Sequence, residues 1–231
     1  MVITIEGLDG CGKHTQAKLL GEYLKSTKGE GNVIELSYPK YDSECSIGVR
    51  KFLNGDFGTE VNEVNPYTIS TFYALDRFAD YAENWGKLYS EDKFVIADRY
   101  VQSNMLYQLA RLHREEWNQY INWISDLEFK YNGLPKADLV IYLSVPIEVS
   151  QKLMTERYQG DDTKKDIYEK DMDYLLKCSK VAEYLIDNQN WKVVNCTENG
   201  KMRDKEDIAD EIKAIVRKKE RVANFVVKPV Y

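Results

Sequence analysis

The sequence predicts an α/β fold of three layers, in which a parallel five-stranded sheet carries helices on both faces. Short apolar segments of four or five residues alternate with longer segments whose apolar residues recur at helical spacing. Strands that alternate with helices form parallel sheets, because each helix returns the chain to the edge where the previous strand began. Such sheets bind ligands beyond the carboxyl ends of their strands, so we expect the functional residues there.

The elements follow in chain order. The predicted strands are residues 2–5, 33–36, 94–97, 139–143 and 191–194. The predicted helices are residues 13–26, 66–89, 114–131, 167–188 and 205–221. Residues 158–165 are dense in Gly, Asp and Lys between two helices, which predicts an exposed loop.

The length and charge of the chain limit its class. A chain of 231 residues suits one domain, which we place at residues 1–221, followed by an apolar tail at residues 222–231 to which the sequence assigns no role. No apolar run approaches the roughly 20 residues that span a bilayer. The net charge of -6 gives no general attraction to a polynucleotide, so a nucleotide is the better expected ligand.

The four cysteines predict neither a zinc site nor a disulfide scaffold. Cys11, Cys45, Cys178 and Cys196 are scattered, and no two of them form a C-x-x-C pair. The chain also begins on an apolar run without the features of a secretory signal. We therefore expect a cytoplasmic protein with reduced cysteines.

A glycine-rich segment, GLDGCGKH at residues 7–14, follows the first strand and opens the first helix. Glycines let successive backbone N–H groups point at phosphate oxygens, and the helix adds its positive N-terminal end. Lys13 would reach the β- and γ-phosphates of a nucleoside triphosphate. The alternative is an ordinary strand-to-helix turn with an incidental lysine. The residues expected to bind ATP are Gly7, Leu8, Asp9, Gly10, Cys11, Gly12, Lys13, His14 and Thr15.

One residue departs from the usual phosphate loop. The position after the lysine, which ordinarily carries a Ser or Thr hydroxyl for magnesium, is His14, with Thr15 following it. Magnesium prefers oxygen ligands, so an imidazole replaces the hydroxyl poorly. We expect Asp98 to hold the ion, directly or through water; the alternative is a loop that binds nucleotide with impaired chemistry.

A carboxylate and a guanidinium follow the third strand, as Asp98 and Arg99 in FVIADRY. The carboxyl end of this strand is where phosphates would lie. Arg99 offers a planar fork for a phosphate, which a lysine grips less specifically. An ion pair at a helix start is the alternative.

These segments together resemble the thymidylate kinase family. The matching segments are EGLDGCGKHTQ at 6–16, Tyr38-Pro39, YALDR at 73–77, DRYVQSNMLYQ at 98–108 and LSVP at 143–146, in family order. The resemblance covers most of residues 1–215 and implies a P-loop kinase fold. It further implies transfer of the ATP γ-phosphate to dTMP, giving dTDP for dTTP biosynthesis, with Mg²⁺ as cofactor and a homodimer as the assembly.

The resemblance also implies roles for single residues. It places the acceptor phosphate on Arg99, the thymine side on Arg77, stacking on Tyr73 and the sugar 2′ position near Tyr107. Taken from the sequence alone, the helical apolar spacing around Tyr73 and Tyr107 favours core residues over pocket residues. The full implied dTMP set is Asp9, Tyr38, Tyr73, Arg77, Arg99, Ser103, Asn104 and Tyr107, and the implied catalytic set is Lys13, Asp9, Arg99 and Arg157.

The loop at residues 157–166 resembles a lid that supplies cations. Some family members carry an arginine in the phosphate loop where this chain has Gly10, so the chain resembles the bacterial-type arrangement with cations in the lid. The lid candidates are Arg157, Lys164 and Lys165; a solvated charged loop is the alternative. The apolar residues Ile69, Phe72 and Phe78 could serve a homodimer or a buried core face.

Two other functions fit parts of the sequence. A deoxynucleoside kinase shares the phosphate loop and the Asp-Arg pair but accepts a nucleoside without phosphate. A nucleotide-binding paralogue without catalysis would explain His14, and also Ser144, where many relatives have Asp.

Overall fold

The computed structural model describes residues 1–90, 92–161 and 165–226. A parallel five-stranded sheet forms its middle layer, as predicted. The strands are β1 (Val2–Glu6), β2 (Val33–Ser37), β3 (Phe94–Asp98), β4 (Leu139–Ser144) and β5 (Lys192–Asn195). Their spatial order is β2-β3-β1-β4-β5, and every neighbouring pair is parallel. The loops after β1, β3 and β4 therefore leave from the same edge, where a ligand is expected.

Helices cover both faces of the sheet. Those described are α1 (Lys13–Lys28), α2 (Ile47–Leu53), α3 (Pro66–Asp80), α4 (Val101–Leu109), α5 (Trp117–Ser125), α6 (Ile147–Arg157), α7 (Met172–Gln189) and α8 (Lys205–Val226). No helix among these described residues is both long and apolar enough to cross a bilayer.

The alternating side chains of the strands divide the core into two layers. Ile3 and Ile5 of β1 lie in a cluster with Leu20 and Leu24 of α1 and with Ile212 of α8. Their chain neighbour Val2 lies in the other cluster, with residues of α3, α4, α5 and α7. Successive strand residues point to opposite faces, so one short apolar strand contributes to both layers.

Local polar contacts explain where two helices begin. Asn65 accepts a hydrogen bond from the backbone N–H of Tyr67 at 2.8 Å, and Pro66 occupies the first helical position of α3. Asp171 accepts from the N–H of Tyr174 at 2.9 Å, which places the start of α7 at Met172. The predicted helix at 167–188 therefore begins too early, because this cap lies inside it.

Two predicted helices change their winding before they end. After α3 the chain continues as a π-helical turn, Tyr81–Trp85, and not as an α-helix to residue 89. The predicted helix at 114–131 is a 3₁₀ turn at Arg114–Glu116, then α5, then a π-helical turn at Asp126–Tyr131. Apolar spacing does not distinguish these windings over a few residues.

The structure adds elements that the prediction lacks. These are the helices α2, α4 and α6, and a two-stranded hairpin formed by β6 (Thr197–Glu198) and β7 (Lys201–Met202). Asn199 and Gly200 at the hairpin turn have positive φ angles of 51° and 73°, the Asn-Gly signal of a tight turn. Helix α8 runs to Val226, so the first five residues of the predicted tail belong to it, and residues 227–231 lie outside the described part of the chain.

Candidate active site

A cleft of about 1000 Å³ opens at the carboxyl ends of the strands. Its lining combines residues of the phosphate loop, of the segment after β3, and of helices α3 and α4. The lining includes Arg157 and Tyr158 at the end of α6, and Met202 and Arg203 beside the hairpin. The site therefore lies where the parallel sheet predicts it.

The phosphate loop leads into α1 through glycines, without a side-chain cap among the described residues. Gly12 has a φ of 90°, and within the described residues no side chain caps the helix it precedes. Gly10 has a φ of 78°, and a Cβ there would lie 2.6 Å from the carbonyl oxygen of Ser150. Glycine is thus required at this close approach, and the uncapped helix start presents donors to an anion.

Lys13 is held against its own loop. Its Nζ donates to the carbonyl oxygens of Gly7 at 3.0 Å and Leu8 at 2.8 Å, and lies 3.9 Å from Asp9 Oδ1. The side chain is only 7% exposed. Two neutral carbonyl oxygens therefore hold the ammonium group beside the loop. The more distant carboxylate of Asp9 neutralises its positive charge only in part.

An ion-pair network joins the phosphate loop to the segment after β3. Arg99 Nη2 forms an ion pair with Asp9 Oδ1, and Arg99 Nη1 donates to the Tyr107 hydroxyl at 3.3 Å. That hydroxyl donates to Asp9 Oδ2 at 2.9 Å. Arg99 has a φ of 67°, an uncommon backbone conformation for a residue with a side chain.

The network sets the charges of its members. Burial alone raises the pKa of Asp9, but Arg99 and Lys13 outweigh burial and hold that pKa below its usual value. Burial lowers the pKa of Arg99, but Asp9, Tyr107 and Asp98 together more than offset burial and raise that pKa well above its usual value. Asp9 is thus kept as a carboxylate between the two cations Arg99 and Lys13.

Glu6 supports this network by binding residues of the segment that carries Arg99. It is fully buried at the end of β1, where its carboxylate accepts from the Tyr100 N–H at 2.9 Å and from the Ser103 hydroxyl at 2.7 Å. Burial raises the pKa of Glu6. These two bonds fix the chain that follows Arg99 relative to β1 and help to maintain its unusual backbone angle.

Arg77 of α3 lines the cleft and forms a buried ion pair with Glu128. Its Nε donates to Glu128 Oε1 at 3.0 Å, its Nη2 pairs with the same oxygen, and the side chain is 2% exposed. Glu128 Oε2 has no hydrogen-bond partner among the described residues. The π-helical turn places Glu128 here, so Arg77 is oriented by a residue 51 positions away.

Tyr38 and Tyr73 occupy different environments. The Tyr38 hydroxyl donates to Asp80 Oδ2 at 2.8 Å and accepts from the Trp85 indole N–H at 3.0 Å, so its polar end is used inside the protein. Tyr73 is half-buried and lines the cleft beside Asn104. Asn104 is held by a bond from its amide to the Ser70 carbonyl oxygen at 3.3 Å.

The lid side of the cleft carries acidic groups as well as Arg157. Tyr158 donates to Glu169 at 3.1 Å, and Asp166 Oδ1 accepts from the N–H groups of Tyr168 at 2.8 Å and Glu169 at 2.9 Å. Burial, then Asp9 and then Glu169, raise the pKa of Asp166 to about 7. Arg157 is exposed, with its guanidinium 5.8 Å from the Tyr158 ring centre.

Comparisons with known proteins agree on one family. A model of the thymidylate kinase family matches residues 5–208. The chain belongs to the thymidylate kinase family. A thymidylate kinase of Mycobacterium tuberculosis is 34% identical over 194 residues, covering 83% of this chain and 87% of the relative. A thymidylate kinase of Plasmodium falciparum is 31% identical over 170 residues, covering 72% of this chain and 73% of the relative.

Two solved structures share the fold. The thymidylate kinase of Ehrlichia chaffeensis superimposes with a TM-score of 0.66 at 20% identity, covering 94% of this chain and 98% of the other. The Candida albicans thymidylate kinase gives a TM-score of 0.67 at 22% identity, covering 95% and 92%. The P-loop kinase fold with a parallel five-stranded sheet is thereby confirmed, and the chain is a member of a family of nucleoside monophosphate kinases.

The cleft brings together most residues that the thymidylate kinase resemblance named. They are Asp9, Gly10, Cys11, Gly12, Lys13, His14, Thr15, Tyr38, Tyr73, Arg77, Asp98, Arg99, Ser103, Asn104, Tyr107 and Arg157. Gly7, Leu8 and Lys165 are not among its lining residues, and Lys164 lies outside the described residues. Tyr107 is both a packed aromatic residue and a cleft residue. Its ring stacks on that of Tyr168, with 5.6 Å between the ring centres, and its hydroxyl donates to Asp9 in the ion-pair network.

Sequence reasoning assigned no role to several residues that shape this thymidylate kinase site. They are Glu6, Glu128, Asp166 and Glu169. A carboxylate that ends a wholly apolar strand, as Glu6 does, is a usable signal because an isolated buried charge is costly. Glu128 gives no such signal, because it lies in a segment with ordinary helical spacing.

Proposed function

We propose that this cleft is where the chain carries out the reaction of its family, transfer of the γ-phosphoryl group of ATP to dTMP, giving dTDP and ADP for dTTP synthesis. The network of Asp9, Arg99 and Tyr107 beside the phosphate loop carries the proposal. Its arginine, which would bind the acceptor phosphate, is ion-paired to Asp9 of the loop that would hold the donor. Phosphoryl transfer needs mainly this positioning, together with neutralisation of developing charge.

The phosphate loop would bind the donor. Its backbone N–H groups at the start of α1 would hold the β- and γ-phosphates, and Lys13 would neutralise charge as the γ-phosphoryl group leaves. The uncapped helix start and the two backbone carbonyls that hold Lys13 support this role. Both preorganise charge where it develops, so little rearrangement is needed during the reaction.

The other end of the cleft would bind the acceptor. Arg99 would hold the dTMP phosphate with its planar fork, while Asp9 orients that fork through their ion pair. Tyr73 would stack on thymine, and Arg77 with Ser103 and Asn104 would face its edge. Tyr107 would stand at the sugar. An acceptor phosphate oxygen then attacks the γ-phosphorus in line, with no covalent enzyme intermediate.

Magnesium fits the donor end as an ion shared with the phosphates. Among the described residues no cluster of three or more acidic, histidine or cysteine side chains could hold a metal ion. Magnesium in kinases is commonly bound through one or two carboxylates plus substrate phosphates, which matches the single carboxylate of Asp98. When bound, the ion would offset the negative charge of the phosphates. Asp98, directly or through water, would hold it at the end of β3.

Arg157 would supply the lid cation. Its positive charge is close enough to Asp9 to help lower the pKa of that carboxyl. This effect is smaller than the raising effect of burial and the lowering effects of Arg99, Lys13 and Tyr107. Its side chain is exposed, and its guanidinium lies over the Tyr158 ring. An exposed arginine beside the network can turn toward transferring phosphate when nucleotides fill the cleft. Lys164 and Lys165 remain the other expected lid cations.

The assembly and location are parts of the same proposal. Ile69 is fully buried within the chain, so it is unavailable to a partner, whereas Phe78 and Leu75 of the same helix are 41% and 51% exposed. We place a homodimer contact on this exposed face of α3. A cytoplasmic location is supported by the four free cysteines.

An acceptor panel tests the proposed activity. ADP release is measured with ATP, Mg²⁺ and each of dTMP, dUMP, dCMP, dGMP and thymidine. Turnover selective for dTMP supports the proposal. Turnover with thymidine instead would favour a deoxynucleoside kinase, and binding of ATP or dTMP without turnover on any acceptor would favour a paralogue that has lost catalysis.

A further inference from the structure

The residue after the phosphate-loop lysine faces the carboxylate assigned to the metal. His14 lies in the first turn of α1, and its side chain is 82% exposed toward the cleft that it lines. Its Nδ1 is 3.5 Å from Asp98 Oδ2, at the carboxyl end of β3. The imidazole therefore occupies the place of the usual hydroxyl and is directed at the same ion position.

The spacing of the two atoms suits a shared ion. A direct hydrogen bond between nitrogen and oxygen is about 2.7–3.2 Å long, so the observed 3.5 Å between His14 and Asp98 exceeds it. Two ligand atoms that each lie about 2.0–2.2 Å from one cation, at octahedral or tetrahedral angles, are roughly 2.8–3.6 Å apart. One divalent ion fits between these groups with little movement of either.

The kind of donor decides which ion is preferred. Magnesium takes oxygen ligands almost exclusively, whereas first-row transition ions accept imidazole nitrogen together with carboxylate and phosphate oxygen. A Ser or Thr hydroxyl adds oxygen to the site; His14 adds nitrogen. The exposed ring can also turn its Nδ1 toward an ion without breaking a packed contact.

We propose that His14 Nδ1 and Asp98, together with nucleotide phosphates, bind a divalent first-row transition ion such as Mn²⁺ in preference to Mg²⁺. This inference rests on the proposed function, because the phosphates complete the ligand set. The site uses Mg²⁺ through Asp98 alone and gains one ligand, the imidazole, when the ion accepts nitrogen.

Pulsed electron paramagnetic resonance of bound Mn²⁺ tests the inference directly. The protein is prepared with ring-¹⁵N histidine and mixed with ADP and Mn²⁺ at one mildly alkaline pH. The variant His14→Thr restores a hydroxyl, and His113→Thr is the matched control, since the chain has two histidines and His113 is exposed and does not line the cleft. We expect ¹⁵N coupling from a directly bound nitrogen in the wild type and in His113→Thr, and its loss in His14→Thr.

A competition experiment gives the size of the preference. The Mg²⁺ concentration that displaces half of the Mn²⁺ from the ADP complex should fall about tenfold in His14→Thr and stay unchanged in His113→Thr. Absent histidine coupling with equal displacement in all three proteins would overturn the inference while leaving the proposed function intact. Failure of ADP to bind at all would reject both, because no phosphate would then complete the site.

Discussion

The proposed acceptor end and the proposed donor end of the cleft differ in how completely the chain builds them. At the proposed acceptor end, Arg99 is 17% exposed and bonded to both Asp9 and Tyr107, and Glu6 holds the backbone N–H of the next residue, Tyr100. At the donor end and lid, His14 is 82% exposed and Arg157 is exposed. The acceptor site is therefore preorganised, whereas part of the donor site is completed by its ligands.

The largest effect is expected at Lys13, a cation of the proposed donor end that backbone carbonyls hold in place. Lys13→Ala removes an ammonium group that is 7% exposed and is held in place by the loop carbonyls. It should lower kcat by about 10³-fold. Turnover by ADP release is compared with Lys18→Ala, an exposed lysine on the same helix. A loss below tenfold in Lys13→Ala would show that phosphate charge is neutralised elsewhere.

The next largest effect is expected at Arg99, in the proposed acceptor end, and concerns the affinity for dTMP. Arg99→Lys keeps a positive charge but loses the planar fork that contacts Asp9 and Tyr107 together. We expect the Kd for dTMP to rise about 100-fold, with ATP affinity changed less than threefold. Calorimetric titration measures both. Equal weakening of the two ligands would place Arg99 between them and not on the acceptor.

A smaller effect is expected from the residue that orients Arg77. Glu128→Gln preserves shape but removes the charge from a fully buried pair, so Arg77 loses its fixed orientation. KM for dTMP should rise about tenfold while kcat stays within about twofold, since Arg77 is proposed to face the base and not the reacting phosphate. Glu115→Gln, on the surface, is the control. A fall in kcat at unchanged KM would contradict this role.

The smallest effect concerns stability and pH. Asp166 has a pKa raised to about 7, so folding is opposed by its ionisation once the pH exceeds the ordinary carboxyl range, and fully so above 7. Asp166→Asn retains an acceptor for the N–H groups of Tyr168 and Glu169. It should raise the free energy of unfolding by about 2 kcal/mol at pH 8.

That gain should shrink as the pH falls and vanish below about pH 3, where Asp166 is protonated in both folded and unfolded chains. Denaturant unfolding of nucleotide-free protein across this range measures it. A gain that does not change with pH would mean that the carboxyl titrates normally.

The sequence alone predicts the parts of this molecule that local pattern determines. All five strands were placed within a residue or two, and the phosphate loop was recognised from glycines and a lysine between a strand and a helix. The ion pair of Arg77 with Glu128 could not be predicted, because it joins residues 51 positions apart through a π-helical turn. The start of α7 was missed because a single cap, Asp171, outweighs the apolar spacing before it.

Titration of nucleotide-free protein with dTMP and with thymidine tests the preorganised acceptor site most directly. With Arg99 already held by Asp9 and Tyr107, dTMP should bind without ATP or a metal ion, and at least tenfold more tightly than thymidine, which lacks the phosphate. Binding of dTMP only after ATP is added, or equal affinity for thymidine, would contradict the account.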